Sequence, residues 1–292
     1  MPPDPALIVG VHYVRIGLAR AAAAVNQWWT LHEDREPPED SSPLRAELFS
    51  ADQMAQHGLG LAAAHRVGRS QGPDRLLQRL DENERLLLDT VRSLGVASAQ
   101  KIRLVPAAAW LLDNGHLIRE QILIARRHLP KGYSRELSRL EVHLDQGASA
   151  GFPRVYDLAL EAIAHGDGRI DPDSLRRFVT AYQTLAPLTL GELWAVPIML
   201  RLALIENLRR VGGRVIANGR HRDHAQAWSD RMLHAAENTP RDLILVIADM
   251  ARSDPPLVSA FVAELARCLQ GRGPALALPL TWIEQRLAES SL

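Results

Sequence analysis

Apolar residues along this chain recur at three- and four-residue spacing, the period of an amphipathic helix, and no run alternates at period two between hairpin turns. The pattern predicts helices almost from end to end. The first covers Leu7 to Leu31 and ends in Trp28 and Trp29. A polar run follows, Glu33 to Ser42, whose Pro37, Pro38 and paired acids read as a linker. Residues 1–43 therefore stand apart from a helical body at 44–292. In that body Ser50 and Gln53 form a capping box, which predicts a helix to about Val67. Pro73 opens another that Gly95 stops. Pro106 suits a first helical position and predicts a helix to Leu129, with Trp110, Leu111, Leu117, Ile118, Ile122 and Ala125 on its apolar face. A loop from Lys131 to Phe152 holds one short helix near Ser134 to Leu140.

Pro153 to His165 is helical, and a glycine-rich turn joins it to a helix capped by Asp171 and running to about Leu185. The most apolar helix is expected at Leu190 to Val211. Pro197 should kink or split it, and Gly212-Gly213 should bend or end it. Further helices are expected at Arg222–Asn238, Pro240–Arg252, Pro255–Leu269 and Pro279–Ser290. Residues 243–248 (LILVIA) could be a buried strand by composition, but the preceding Thr-Pro-Arg-Asp is a helix start. The fold class is all-α: an irregular multi-helix bundle or a solenoid-like array of helix pairs.

Composition sharpens this picture. Hydrophobic residues make up 47% of the 292, enough for a sizeable core. Acids and bases number 34 each, so net charge gives no reason to expect a nucleic-acid partner. One cysteine, Cys268, excludes an intrachain disulfide and fits a reducing, cytoplasmic setting. The stretch Leu193 to Ile205 is interrupted by Arg201 and is too short to span a bilayer, so it reads as a core helix.

Candidate chemistry is sparse. Counting from Gly168 as the invariant glycine of a calcium loop puts Ile163, His165 and Ser174 at ligand positions, which lack the needed carboxylates, so the turn reads as a connector. Asp171-Pro172-Asp173 has metal–nucleotide spacing but follows no strand, so it reads as a cap. His221, Asp223 and His224 lie near a helix start with no further ligand nearby and read as solvated. Glu192 and Glu206 would lie roughly 21 Å apart on one helix by helical rise, too far to share a glycosidic bond. Trp110 and Trp194 fall on apolar faces and are expected in the core. Arg201 calls for a structural ion pair, since an unpaired buried charge is costly. Trp28 and Trp29, with Arg15 and Arg20, are the expected contact with a partner or a membrane surface. No residue is assigned as catalytic, cofactor-binding or metal-ligating, and no cofactor is expected.

Several segments in one order carry a resemblance. They are 109–121 (AWLLDNGHLIREQ), 129–137 (LPKGYSREL), 152–171 (FPRVYDLALEAIAHGDGRID), 181–210 (AYQTLAPLTLGELWAVPIMLRLALIENLRR) and 259–287 (SAFVAELARCLQGRGPALALPLTWIEQRL). Together they resemble the N-terminal region of the cyclic β-1,2-glucan synthases, bacterial inner-membrane enzymes. The resemblance implies a role in building a glucan from UDP-glucose. It also implies that the catalytic domains lie beyond the matched region, so no catalytic residue carries over. Two departures stand out: Gly115 occupies a place where a bulky aromatic is expected, leaving a packing gap, and residues 141–146 (EVHLDQ) replace a shorter, more neutral linker. The resemblance makes the chain a non-catalytic scaffold or regulatory region, cytoplasmic or peripheral to the inner membrane, whose partner is the rest of a synthase. The alternative is a stand-alone helical protein-interaction module.

Overall fold

Short caps and long apolar stripes set the architecture. A computed structural model describes residue 44 and residues 47–68, 75–102, 104–141, 151–166 and 168–290. The readings made for residues 1–43, for the helix start at Pro73 and for most of 141–146 lie outside these. Ten α-helices are present among the described residues: α1 (Ala51–Ala64), α2 (Arg75–Ala99), α3 (Pro106–Asp113), α4 (Gly115–His128), α5 (Arg154–His165), α6 (Pro172–Gln183), α7 (Leu190–Asn238), α8 (Leu243–Ser253), α9 (Ser259–Leu269) and α10 (Ala277–Ser290). The all-α reading holds, and LILVIA lies in α8. None of these helices is long and apolar enough to cross a membrane.

The capping box is present at α1, where Ser50 Oγ accepts from the Gln53 amide at 3.3 Å and Gln53 Oε1 accepts from the Ser50 amide at 2.8 Å. Gly58 lets α1 approach α6 closely: a Cβ there would lie 2.7 Å from the Phe178 carbonyl oxygen. Along α2 the buried positions are Leu76, Leu80, Asn83, Leu87, Thr90 and Leu94, alternating four and three apart as in a coiled-coil seam. The helix runs on past Gly95 to Ala99, because one glycine costs only about 1 kcal/mol against alanine.

Four further expectations are corrected. The helix from Pro106 to Leu129 is two helices, broken at Asn114, whose side-chain amide donates to the Trp110 carbonyl alongside its own backbone amide. The short helix near Ser134 is a single 3₁₀ turn, Tyr133–Arg135. It is followed by β2 (Arg139–Leu140), which pairs antiparallel with β1 (Val67–Gly68) in the register Val67↔Leu140. Two-residue strands are too short to show a period. Gly212 and Gly213 do not end α7, which passes through them and through Pro197 for 49 residues. The tryptophans at 110 and 194 are not core: Trp110 is 47% exposed and Trp194 77% exposed, and Leu117, placed on the same apolar face as Trp110, is exposed as well. From Ala195 onward the apolar segment of α7 is buried as expected, with Ala195, Met199 and Ala203 fully so.

The chain forms two compact units, one ending at Gly212 and one spanning Gly213–Leu292. The core of the first is built from Leu87, Ile122, Ile163, Phe178, Tyr182 and Met199, among others. The second has its own core, in which Met232, Met250, Phe261 and Leu265 are fully buried.

Candidate functional site

Glu161 and His165 are four residues apart and so stand on one face of the last two turns of α5. The helix stops at Gly166 because only glycine fits there: a Cβ would lie 2.4 Å from the Arg169 carbonyl oxygen and 2.8 Å from that of Ala162. Gly168 then takes φ +73° and turns the chain into α6. Asp171 caps α6, its carboxylate accepting from the Ser174 amide at 2.7 Å, and that bond holds its pKa below the ordinary value. The Asp-Pro-Asp segment is a helix start, as expected.

α1 brings His57 to this end of α5. His57 Nε2 lies 2.8 Å from Glu161 Oε2, and His165 Nε2 lies 3.4 Å from the same oxygen. His57, Glu161 and His165 thus offer three ligand atoms within 4.8 Å of one another. His165 Nδ1 bonds the Glu47 carbonyl at 2.7 Å, and the Phe49 ring stacks on the imidazole at 3.8 Å. Beside the cluster opens a cavity of about 260 Å³, lined by Phe49, Met54, His165, Arg169 and Ser174 among others. The sequence shows the Glu161–His165 pair but not His57, which is 104 positions from Glu161.

A second polar group is sealed in the core. Arg154 makes a bidentate pair with Glu192, both bonds at 2.7 Å, and also donates to the Pro187 carbonyl. Burial alone would push Glu192 up, but the bonds from Arg154 and the Thr189 amide hold it below its ordinary pKa. Thr189 and Glu192 form a capping box at the start of α7. The Thr-x-x-Glu spacing could have been read from the sequence. Nearby, His65 bridges the Tyr182 hydroxyl at 3.0 Å and Asp157 at 3.1 Å. Tyr182 is fully buried, and burial raises its pKa, so this chain of bonds orders the core and presents no open face to a substrate.

Glu206 is held by Arg79, Arg209 and Arg210 at 2.7–3.0 Å. Glu192 and Glu206 therefore sit in separate arginine clusters and do not face each other. None of the ion pairs recorded among the described residues reaches Arg201, which is half-buried on the same helix. The pairing expected for it is made by Arg154, Arg79, Arg209 and Arg210 instead. His221, Asp223 and His224 do not converge as the α1–α5 cluster does; Asp223 and His224 are exposed. A hollow of about 660 Å³ lies beside Gly115, bordered by Val91, Leu112 and Leu123, but a Cβ at Gly115 would already meet Val91 Cγ1 at 3.0 Å, so the expected gap at the residue itself is closed. Trp28, Trp29, Arg15 and Arg20 lie outside the described residues.

Over 248 residues the chain is 30% identical to the cyclic beta-(1,2)-glucan synthase NdvB of Rhizobium meliloti (strain 1021). The chain resembles a segment of a cyclic β-1,2-glucan synthase. The match takes in 84% of this chain and spans 8% of the length of that synthase. This fits the N-terminal-region resemblance carried by the five segments. No protein-family model matches the chain. Three of the five synthase-like segments meet at the features described above: 152–171 contains Arg154, Glu161, His165 and Asp171, while 181–210 contains Tyr182, Glu192 and Glu206, and 109–121 borders the hollow at Gly115.

Proposed function

We propose that this chain is a non-catalytic helical scaffold or regulatory region serving cyclic β-1,2-glucan synthesis from UDP-glucose. The observation that carries the reading is the match to a glucan synthase over most of a chain whose buried carboxylates are spoken for. Glu192 and Glu206 are tied to arginines, so neither is poised to gain or lose a proton near neutral pH. A docking role also has a surface. Leu190 is 70% exposed and Trp194 77% exposed, together at the start of α7, a costly place for such side chains unless another surface covers them. The partner in this reading is the remainder of a synthase, with the chain on the cytoplasmic side, peripheral to the inner membrane. Trp28 and Trp29, with Arg15 and Arg20, add a second contact.

Two measurements test this. The purified chain supplied with UDP-glucose and Mg²⁺ should transfer no glucose; transfer by the isolated chain overturns the proposal. In a binding assay against a synthase lacking its matching region, Trp194→Ala and the double change Trp28→Ala/Trp29→Ala should each weaken association by about tenfold or more. Trp194→Ala should leave the melting temperature nearly unchanged, since exposed substitutions usually shift stability by only about 0.5 kcal/mol. Association that ignores all of these tryptophans counts against the proposed docking surfaces.

A further inference from the structure

We propose that His57, Glu161 and His165 form a site for one divalent transition-metal ion, of the Zn²⁺ class. The inference stands on the geometry of α1 and α5 and does not depend on the scaffold role. A carbonyl oxygen can only accept, so the 2.7 Å contact with Glu47 places a proton on His165 Nδ1. In the neutral ring Nε2 then carries a lone pair, and this nitrogen lies 3.4 Å from a Glu161 carboxylate oxygen. Two electron-rich atoms so placed repel each other, and a cation between them reverses the sign. His57 Nε2 converges on the same oxygen from the other helix.

The arrangement has the features of a zinc site. Two imidazoles and one carboxylate form a common three-ligand set, with a fourth position left for water or an incoming ligand. Zinc–ligand bonds of about 2.0–2.1 Å at tetrahedral angles separate ligand atoms by about 3.3 Å, against 2.8 and 3.4 Å for the two pairs measured from Glu161. A ligating histidine ordinarily donates its other ring N–H to a carbonyl or carboxylate, as His165 does to Glu47. The stacked Phe49 ring further restrains its rotation. Nitrogen-rich donors disfavour Mg²⁺ and Ca²⁺, which take oxygen ligands. Of the three side chains, His165 also lines the neighbouring cavity.

The test uses the full chain, stripped of metal with a chelator. Titration with Zn²⁺ against a chromogenic competitor should show one equivalent bound, with Mg²⁺ failing to compete. Glu161→Gln, His57→Gln and His165→Gln should each lower affinity by at least the 10–100-fold seen on losing an outer-shell partner. His221→Gln/His224→Gln should leave it unchanged. Co²⁺ added to the unaltered chain should give the visible ligand-field bands of a four-coordinate site, and one equivalent of Zn²⁺ should abolish them; this readout does not depend on any variant folding. Absence of those bands, or Zn²⁺ binding that persists in Glu161→Gln and His165→Gln, overturns the proposal. So does a His165 ring protonated on both nitrogens with no metal bound in the presence of Zn²⁺, since a proton would then be the bridging cation.

Discussion

Glu206 has its side chain almost wholly removed from water and lies among three guanidinium groups. Burial by itself would raise its pKa, but the bond from Arg209 and the charges of Arg209 and Arg79 overcome this and bring it to about 2. The sign of the resulting pH dependence follows from that. A carboxylate whose folded pKa is depressed contributes stability above its unfolded value of 4.5, and the contribution is lost as pH falls toward 2. Glu206→Gln should cost about 3–5 kcal/mol at neutral pH by removing the buried carboxylate that Arg79, Arg209 and Arg210 share. It should also flatten the acid side of the stability profile between about pH 4.5 and pH 2. Urea unfolding of both proteins across that range measures the two effects, and an unaltered acid limb would show that other carboxylates set it. The need for such a pair could be read from the sequence, because a charged residue interrupts an apolar helix. Its address could only in part: Arg209 and Arg210 follow Glu206 at three and four residues, but Arg79 is 127 positions away, and Arg201, for which a pair was expected, is half-buried and lies outside the cluster. The same reason hid His57 from Glu161 and His165.

Among the helices, those with local start signals were the legible ones. Ser50 with Gln53, Pro106 and Asp171 with Pro172 each mark a terminus by chemistry contained within four residues. Stops were harder to read, because a glycine ends a helix only where the packing lets the chain leave. Gly95, Gly212 and Gly213 all stay helical. This gives opposite expectations for chemically identical changes. At Gly58 a new Cβ meets the Phe178 carbonyl oxygen at 2.7 Å, a backbone atom that cannot move aside alone. Gly58→Ala should therefore destabilise, by about 1–3 kcal/mol, as overpacking does. At Gly213 a new Cβ meets nothing within 4 Å. Gly213→Ala should stabilise by up to about 1 kcal/mol through helix propensity alone. Melting temperatures of the two variants, expected to move in opposite directions, check both. Trp110 and Trp194 lie on helix faces that their own chain leaves open. Periodicity finds an apolar face but not whether that face meets its own chain or another surface, and α7 begins with Leu190, Leu193 and Trp194 all open to water.

At the scale of the molecule, one helix runs through two units that have separate cores. The dividing line falls between adjacent glycines, Gly212 and Gly213, each of which costs about 1 kcal/mol against alanine in a helix interior. That pair is where a helical ladder opened from one end can most readily stop. The second unit is anchored by Phe261 and Leu265 of α9, both fully buried against Met232 and Met250 among others. Phe261→Ala leaves a cavity there and should cost about 3–5 kcal/mol. If the units unfold as separate cooperative parts, the loss will be local. Amide exchange should then accelerate through α8, α9, α10 and the part of α7 beyond Gly213, while α2 and α5 keep their protection. Hydrogen–deuterium exchange read by mass spectrometry on the intact chain resolves this. Equal acceleration in α2 and α5 would mean that the long helix couples the two cores into one cooperative whole, and the glycine pair would then be a sequence feature without a mechanical consequence. Adding Gly213→Ala to the Phe261→Ala chain sharpens the result. A stiffer junction should carry the acceleration back toward Gly212 only if the glycines are what confined it.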